Sequence, residues 1–375
     1  MNPRKYLGPL FAGILALGVL GAIYLSYDKT KNPPPSGQTT PSLQQKPNTI
    51  MVRGLIGSEK EAYLSDPQVI QILRKNGIEL KIDKAGSREI VGRYDPKIYD
   101  FGFPSGAHTA NKLAKIAGNP RISSPLYSVM VVASWKIIAE LLIANKIVTQ
   151  EEGIYYLSDV KKLLDLMSKK TRWNQLNNNK VYVTNRSILI NTTDVRKSNS
   201  GAMYLSLASY FANGEQVVQN DGEMDKILPL MADLFLRQGF QESSSSGPFE
   251  DYTALKMGKS PLVMIYESQM LEYLLKHPDG ANEGMVLLYP KPTVFSKHVY
   301  VPFNANGEKL GKLLETDLEL RKIAQEYGFR VMGTNPDLWK KAGISVPTGM
   351  LDITSPPSYE ILEKMIVRIE TQIGN

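Results

Sequence analysis

The sequence predicts an α/β protein of two lobes, each a mainly parallel sheet flanked by helices, preceded by one N-terminal transmembrane helix. Three observations carry this. Beyond residue 48, short apolar runs rich in β-branched residues alternate with amphipathic stretches over short links, the pattern of parallel strand–helix units. About 325 residues lie there, more than one hydrophobic core usually spans, so two lobes are expected. The step from strand to helix also runs repeatedly through Gly-Ser or Ser-Gly, which gathers hydroxyls and unpaired helix N–H groups at one edge of a sheet.

Residues 1–27 read as a membrane anchor or signal sequence. Arg4 and Lys5 precede Leu7 to Tyr27, an uncharged run long enough to cross a bilayer. The small-residue pattern Ala16-Leu17-Gly18 falls inside that run rather than after it, which favours an uncleaved anchor. Basic residues ahead of the run place the N-terminus on the cytoplasmic side and the bulk of the chain outside the cell membrane. The chain has no cysteine, so a lipidated cysteine cannot tether it. Residues 28–48, with Pro33-Pro34-Pro35 and Thr39-Thr40-Pro41, hold almost nothing apolar and read as an extended spacer.

Lobe one is expected over 49–130. Thr49 to Ile56 is a strand that stops at Gly57-Ser58 before the charged helical start Glu59-Lys60-Glu61. Asp66-Pro67 caps a helix that Asn76-Gly77 ends. Ile78 to Ile82 is a second strand, leading through Gly86-Ser87 to a helical start at Arg88-Glu89-Ile90. Tyr99 to Phe103 is a short strand that ends at Pro104-Ser105-Gly106. Ser123 to Ser128 then precedes Val129 to Ala133, read as a crossing into lobe two.

Lobe two is expected over 131–284. Ser158-Asp159 caps a helix with Val160, Leu163, Leu164 and Met167 on one face. Trp173 and then Val181-Tyr182-Val183 follow. Ile188-Leu189-Ile190 reads as a strand that meets the polar turn Thr193-Asp194-Val195-Arg196-Lys197-Ser198-Asn199-Ser200-Gly201 and then a small-residue helix. That turn suits an anion or polar molecule, and equally a serine N-cap. Pro261 to Ile265 is a strand ending at Tyr266-Glu267, where a ligand contact and a capping group are alternative readings. Met285 to Tyr289 reads as the return crossing, with residues 285–375 adding C-terminal helices to lobe one.

Composition and motifs narrow the function. The formal charge of +7 is mild, and no run of Lys and Arg interleaved with aromatics points to nucleic acid. No enzyme is expected. Gly102-Phe103-Pro104-Ser105-Gly106 lacks the glycine two before the serine that a nucleophile elbow needs, although His108 lies close by. The three histidines, His108, His277 and His298, do not pair at metal-ligand spacing. The phosphate-loop and dinucleotide patterns are absent, so no catalytic residue, metal or cofactor is assigned.

Gly57-Ser58, Gly86-Ser87-Arg88, Ser124-Pro125-Leu126-Tyr127, the 193–201 turn, Tyr266-Glu267-Ser268-Gln269 and Met285 to Pro290 follow one another in an order that resembles the type II extracellular solute-binding proteins, and most closely those similar to phosphate, sulfate and molybdate binders. The resemblance covers roughly residues 49–330. It implies a two-lobed clamshell of the periplasmic binding protein-like II kind, with a small polar or oxyanion-like ligand held between the lobes, for transport or sensing. By the same resemblance Ser58, Ser87 and Arg88 serve lobe one, Ser124 lies near the crossing, and Ser198, Ser200, Gly201, Tyr266 and Glu267 serve lobe two. A permease or an envelope protein is the implied partner. The anchor and spacer depart from secreted members, so an envelope scaffold or adhesion protein with a degenerate cleft is the alternative.

Overall fold

The computed structural model describes residues 49–118, 121–239 and 241–373. Strand β1, Ile50–Ile56, buries Val52, Leu55 and Ile56, and its neighbours β2, Ile78–Lys84, and β3, Phe101–Phe103, both run parallel to it. Helix α1, Pro67–Lys75, joins the first pair. Its first turn is fixed by Asp66, whose carboxylate accepts from the N–H groups of Gln68 and Val69, with Pro67 supplying a preset φ. Helix α2, Ala107–Ala117, follows β3 and stops at Gly118 in the left-handed conformation.

Strand β4, Ser123–Trp135, is thirteen residues long and serves both halves of the sheet. Its first part lies antiparallel to β9, Thr293–Pro302, and its second part is antiparallel to β7, Val263–Tyr266, and β8, Met285–Pro290. β8 then pairs parallel with β6, Ile154–Leu157, which forms a hairpin with β5, Val148–Glu151. The strand order is β2-β1-β3-β9-β4-β8-β6-β5. The sheet is therefore mixed, not mainly parallel. The crossing strands account for the difference, because β4 runs against β7, β8 and β9, and β9 also runs against β3.

Among the described residues the buried apolar side chains form three clusters, the smallest joining Leu55, Ile90, Leu113, Val299 and Val301. A second packs Val52, Ile56, Phe101, Phe103 and Tyr300 against α1 and against the later helices α9, Ala305–Thr316, and α10, Leu318–Glu326. The largest gathers Val131, Val132, Ile265 and Leu288. Helices α3, Lys136–Ala144, α4, Val160–Ser168, α5, Asn199–Ala212, α6, Asp221–Leu236, and α8, Glu267–Lys276, surround it. Helix α7, Ser246–Leu255, follows the serine run, and α11, Tyr359–Ile373, packs on α6.

Two local expectations differ from what forms. Ile188 to Ile190 make no regular strand: the pairing is a single parallel bridge of Asn191 to Val263, and the next N–H, of Thr192, donates to the Gln238 side chain. No α-helix follows Ser87. The chain makes turns and one short 3-10 segment at Val91–Arg93, where Gly92 and the nearby Pro96 disfavour a longer helix. The expected anchor and spacer lie outside the described residues. Among the described residues no helix is long and apolar enough to cross a membrane.

Candidate functional site

The loops that leave β1, β2 and β3 meet the loops that precede α5, α7 and α8, and the side chains between them form one buried polar centre. Glu59 and Lys60 open the short 3-10 turn behind Gly57-Ser58 and turn inward. The Lys60 ammonium is fully buried. It donates to the Glu59 carboxylate and to Ser105 Oγ at 3.0 Å, and lies 3.3 Å from His298 Nδ1. Ser105 Oγ also donates to Glu59, and His298 Nδ1 lies 3.3 Å from the same carboxylate oxygen. Ser87 closes the set, donating to Ser105 Oγ at 3.0 Å and accepting from the Ser105 N–H at 3.1 Å.

The charges follow from this geometry. Burial alone would raise the Glu59 carboxyl, but the adjacent Lys60 ammonium and the His298 contact outweigh it and hold the group well below the usual carboxylate range. Burial pulls the Lys60 ammonium down from its ordinary value, and the neighbouring carboxylate opposes that pull. Burial next to Lys60 brings His298 down to about 4, so its ring is neutral at neutral pH. The pair is thus an ionised Glu–Lys couple steadied by hydroxyls. The Nε2 of His298 is buried without a hydrogen-bond partner among the described residues, and its ring packs between Tyr266 and Phe329.

The second half of the molecule reaches this centre through α5. Asn199, its first residue, donates to the carbonyl of Ser105 at 2.8 Å and to the Tyr266 hydroxyl at 3.1 Å. Ser296 donates to the same carbonyl. Gly106 permits the approach, since a methyl there would overlap the Asn199 side chain. At the margin Ser58 and Ser244 share a hydroxyl hydrogen bond. The Arg88 N–H donates to the Lys197 carbonyl at 3.0 Å, and its guanidinium to the Arg196 carbonyl at 3.1 Å. Gly86 lies so close to the carbonyls of Lys197 and Ser243 that a Cβ would come within 2.6 and 2.8 Å of them.

The residues expected from the sequence distribute unevenly around this centre. Ser87 lies within it, Tyr266 is tied to it through Asn199, and Ser58 sits at its rim. Ser198 and Ser200 stand just behind it, where Ser200 Oγ shares hydrogen bonds with Ser198 Oγ at 2.9 Å and Thr193 Oγ1 at 2.8 Å. Gly201 lets the helix start against that loop, since a Cβ would lie 2.6 Å from the Thr193 carbonyl. Arg88 spans the rim, with its guanidinium paired to Glu363. Glu267 is fully buried and accepts two bonds from Arg330, at 2.7 and 2.8 Å, and one from the Tyr289 hydroxyl at 2.7 Å. Ser124 lies inside β4, where the register against β9 shifts, and none of the centre's hydrogen bonds reaches it.

Sequence reasoning missed Glu59, Lys60, Asn199 and His298. Glu59-Lys60-Glu61 looks like a solvated helix start, and nothing local marks that two of its three charges turn inward. Ser105 was visible at the end of the third strand, but its partners were not.

No protein-family model matches the chain, and no curated protein does. Solved structures do. The substrate-binding protein of an ABC transporter from Agrobacterium tumefaciens superposes with a TM-score of 0.54 at 14% identity, covering 89% of this chain and 97% of that one. Iron-bound HitA from Pseudomonas aeruginosa gives 0.55 at 12% identity, over 87% of this chain and 100% of its own. The ferric binding protein from Campylobacter jejuni gives 0.52 at 11% identity, over 86% and 99%. The chain therefore has the fold of the type II periplasmic solute-binding proteins. The structures it superposes on here are binding proteins rather than enzymes.

Proposed function

We propose that this chain is an extracytoplasmic, membrane-anchored solute-binding protein that captures a small polar, oxyanion-like ligand where its two halves meet, for transport or sensing. The single observation that carries the reading is the convergence of six loops, three from each half, on one buried centre of hydroxyls, a lysine and backbone groups. Neutral donors and one ammonium in a site closed to water can hold an oxyanion through charge-assisted hydrogen bonds, which strengthen as the local dielectric falls. Ser58, Ser87, Ser198, Ser200, Gly201 and Tyr266 contribute from positions in or beside the centre, and Arg88 closes its rim. Glu267 acts as internal framework, its carboxylate neutralised by Arg330 and so not presented to an anion. The uncharged stretch from Leu7 to Tyr27 supplies the anchor and residues 28–48 the spacer, with a permease or an envelope protein as partner.

The solute-binding folds among the solved structures support this reading. The test is a melting-temperature screen of the full-length chain against oxyanions and small polar metabolites, because a ligand bound only by the native state stabilises it by mass action. One compound class is expected to raise the melting temperature of the wild type, and the Ser198→Ala plus Ser200→Ala variant to lose that rise. A rise unchanged in that variant would count against the site.

One observation favours a second reading, an envelope scaffold or adhesion protein. The donors of the centre are already engaged within the chain, Lys60 and Ser105 by Glu59 and the Asn199 amide by the Ser105 carbonyl. In that case no compound moves the melting temperature, while an envelope protein is retained by the immobilised chain.

A further inference from the structure

The Glu59 carboxylate sits against the Lys60 ammonium and the Ser105 hydroxyl in the polar centre, and three features of its surroundings set it apart from an ordinary buried ion pair. It takes hydrogen bonds from an ammonium and a hydroxyl that belong to different loops, with His298 beside the same oxygen. Its neighbour Gly57 has no side chain, and a Cβ there would come within 2.7 Å of both carboxylate oxygens, so the carboxylate is seated back over the main chain in a space that only glycine leaves free. Glu59 also lines a cavity of about 240 Å³, where Lys276 and His277 stand among the carboxylates of Glu61, Glu250 and Glu272 and Gln269 offers an amide, which gives the side chain a polar space to enter.

We propose that Glu59 is a built-in occupant of the site: its carboxylate holds the centre closed on Lys60 and Ser105, and an incoming oxyanion such as a carboxylate or phosphate group displaces it into the adjoining cavity. This rests on the solute-binding reading and adds to it the ligand class and a device that keeps the cleft shut until a stronger anion competes. The exchange is charge-neutral at the ammonium. One carboxylate leaves Lys60 and one oxyanion replaces it, so the buried cation is never left without a counter-charge. A ligand that offered no anionic oxygen would leave Lys60 uncompensated and would be rejected.

The experiment is chemical rescue. Glu59→Ala leaves Lys60 buried beside an emptied carboxylate position. Its melting temperature, measured on the full-length chain at constant ionic strength, is expected to fall well below wild type and to recover in a saturable way with formate, acetate or inorganic phosphate, the wild type needing at least ten-fold more of the same anion. Adding Lys60→Met should abolish the recovery. Gly57→Ala keeps the carboxylate but crowds it out of its seat, and is expected to gain the same anion response, so the proposal remains testable should Glu59→Ala not fold. Equal anion responses in wild type and both variants would overturn the proposal, as would recovery that survives Lys60→Met, or no response in either variant. The two readings separate cleanly. A compound that binds wild type and Glu59→Ala equally well sinks the displacement and leaves solute binding standing. Anion rescue of Glu59→Ala with no compound stabilising the wild type would show a carboxylate seat that no ligand enters in the native protein, and would overturn both readings.

Discussion

Replacing Lys60 with methionine isolates the energetic weight of the polar centre. Lys60 is fully buried and the Glu59 side chain is 4% exposed, so neither charge is screened by water. The substitution keeps most of the side-chain volume and removes the ammonium, leaving Glu59 with the Ser105 hydroxyl and the neutral His298 ring. Breaking a buried pair by removing one partner strands an uncompensated charge and costs about 3–5 kcal/mol. Glu59→Leu with Lys60→Met removes both charges, and most of that loss is expected to return because the desolvation cost disappears with the charges. Equilibrium chemical denaturation of the full-length chain at pH 7 measures both. The pH dependence gives a second check. The carboxyl of Glu59 is depressed in the folded wild type, so its contribution is present above the ordinary carboxylate range and is lost as pH falls through and below that range. Lys60→Met removes the main cause of the depression, and the gap between variant and wild type should therefore narrow at pH 4. A loss below about 1 kcal/mol at pH 7, or a gap that stays constant with pH, would refute the ionised pair.

Gly106→Ala would drive a methyl into the Asn199 side chain, and overpacking of this kind costs about 1–3 kcal/mol. It should also part the halves, seen as a larger radius of gyration in solution scattering. Arg330→Ala strips the buried Glu267 of both guanidinium bonds, with an expected loss of about 3–5 kcal/mol by denaturation. Glu267→Gln in the same background should restore part of it. His298 prefers its neutral form on folding, so stability should decline as pH drops from about 6.5 toward 4, by up to about 3 kcal/mol. The decline should be smaller in His298→Phe, and identical pH profiles would contradict the burial of that ring.

The parts of the fold that sequence made legible are those set by local chemistry. Asp66-Pro67 announced α1, Asp159 announced α4, and the apolar run 129–133 marked the crossing strand because nothing else buries so many β-branched residues in sequence. What was not legible was decided by distant partners. The direction of β9 depends on β3 and β4, and the end of the Ile188 to Ile190 run is set by Val263, which bridges Asn191, and by Gln238, 46 residues on from the Thr192 whose N–H it accepts. The site shows the same division. Ser87 and Ser105 could be placed at strand ends from their own neighbourhoods, whereas Lys60 turns inward because Ser105 and His298, 45 and 238 residues away, complete the site with its neighbour Glu59. A Lys flanked by two glutamates carries no local sign of burial.

Titration calorimetry of the full-length chain with the compound class that raises its melting temperature tests the central claim most directly. The account predicts one site per chain for an oxyanion-bearing ligand, with heat lost in Lys60→Met and strengthened in Glu59→Ala. Binding of equal strength in Lys60→Met, or no binding by any oxyanion to either wild type or Glu59→Ala, would contradict it.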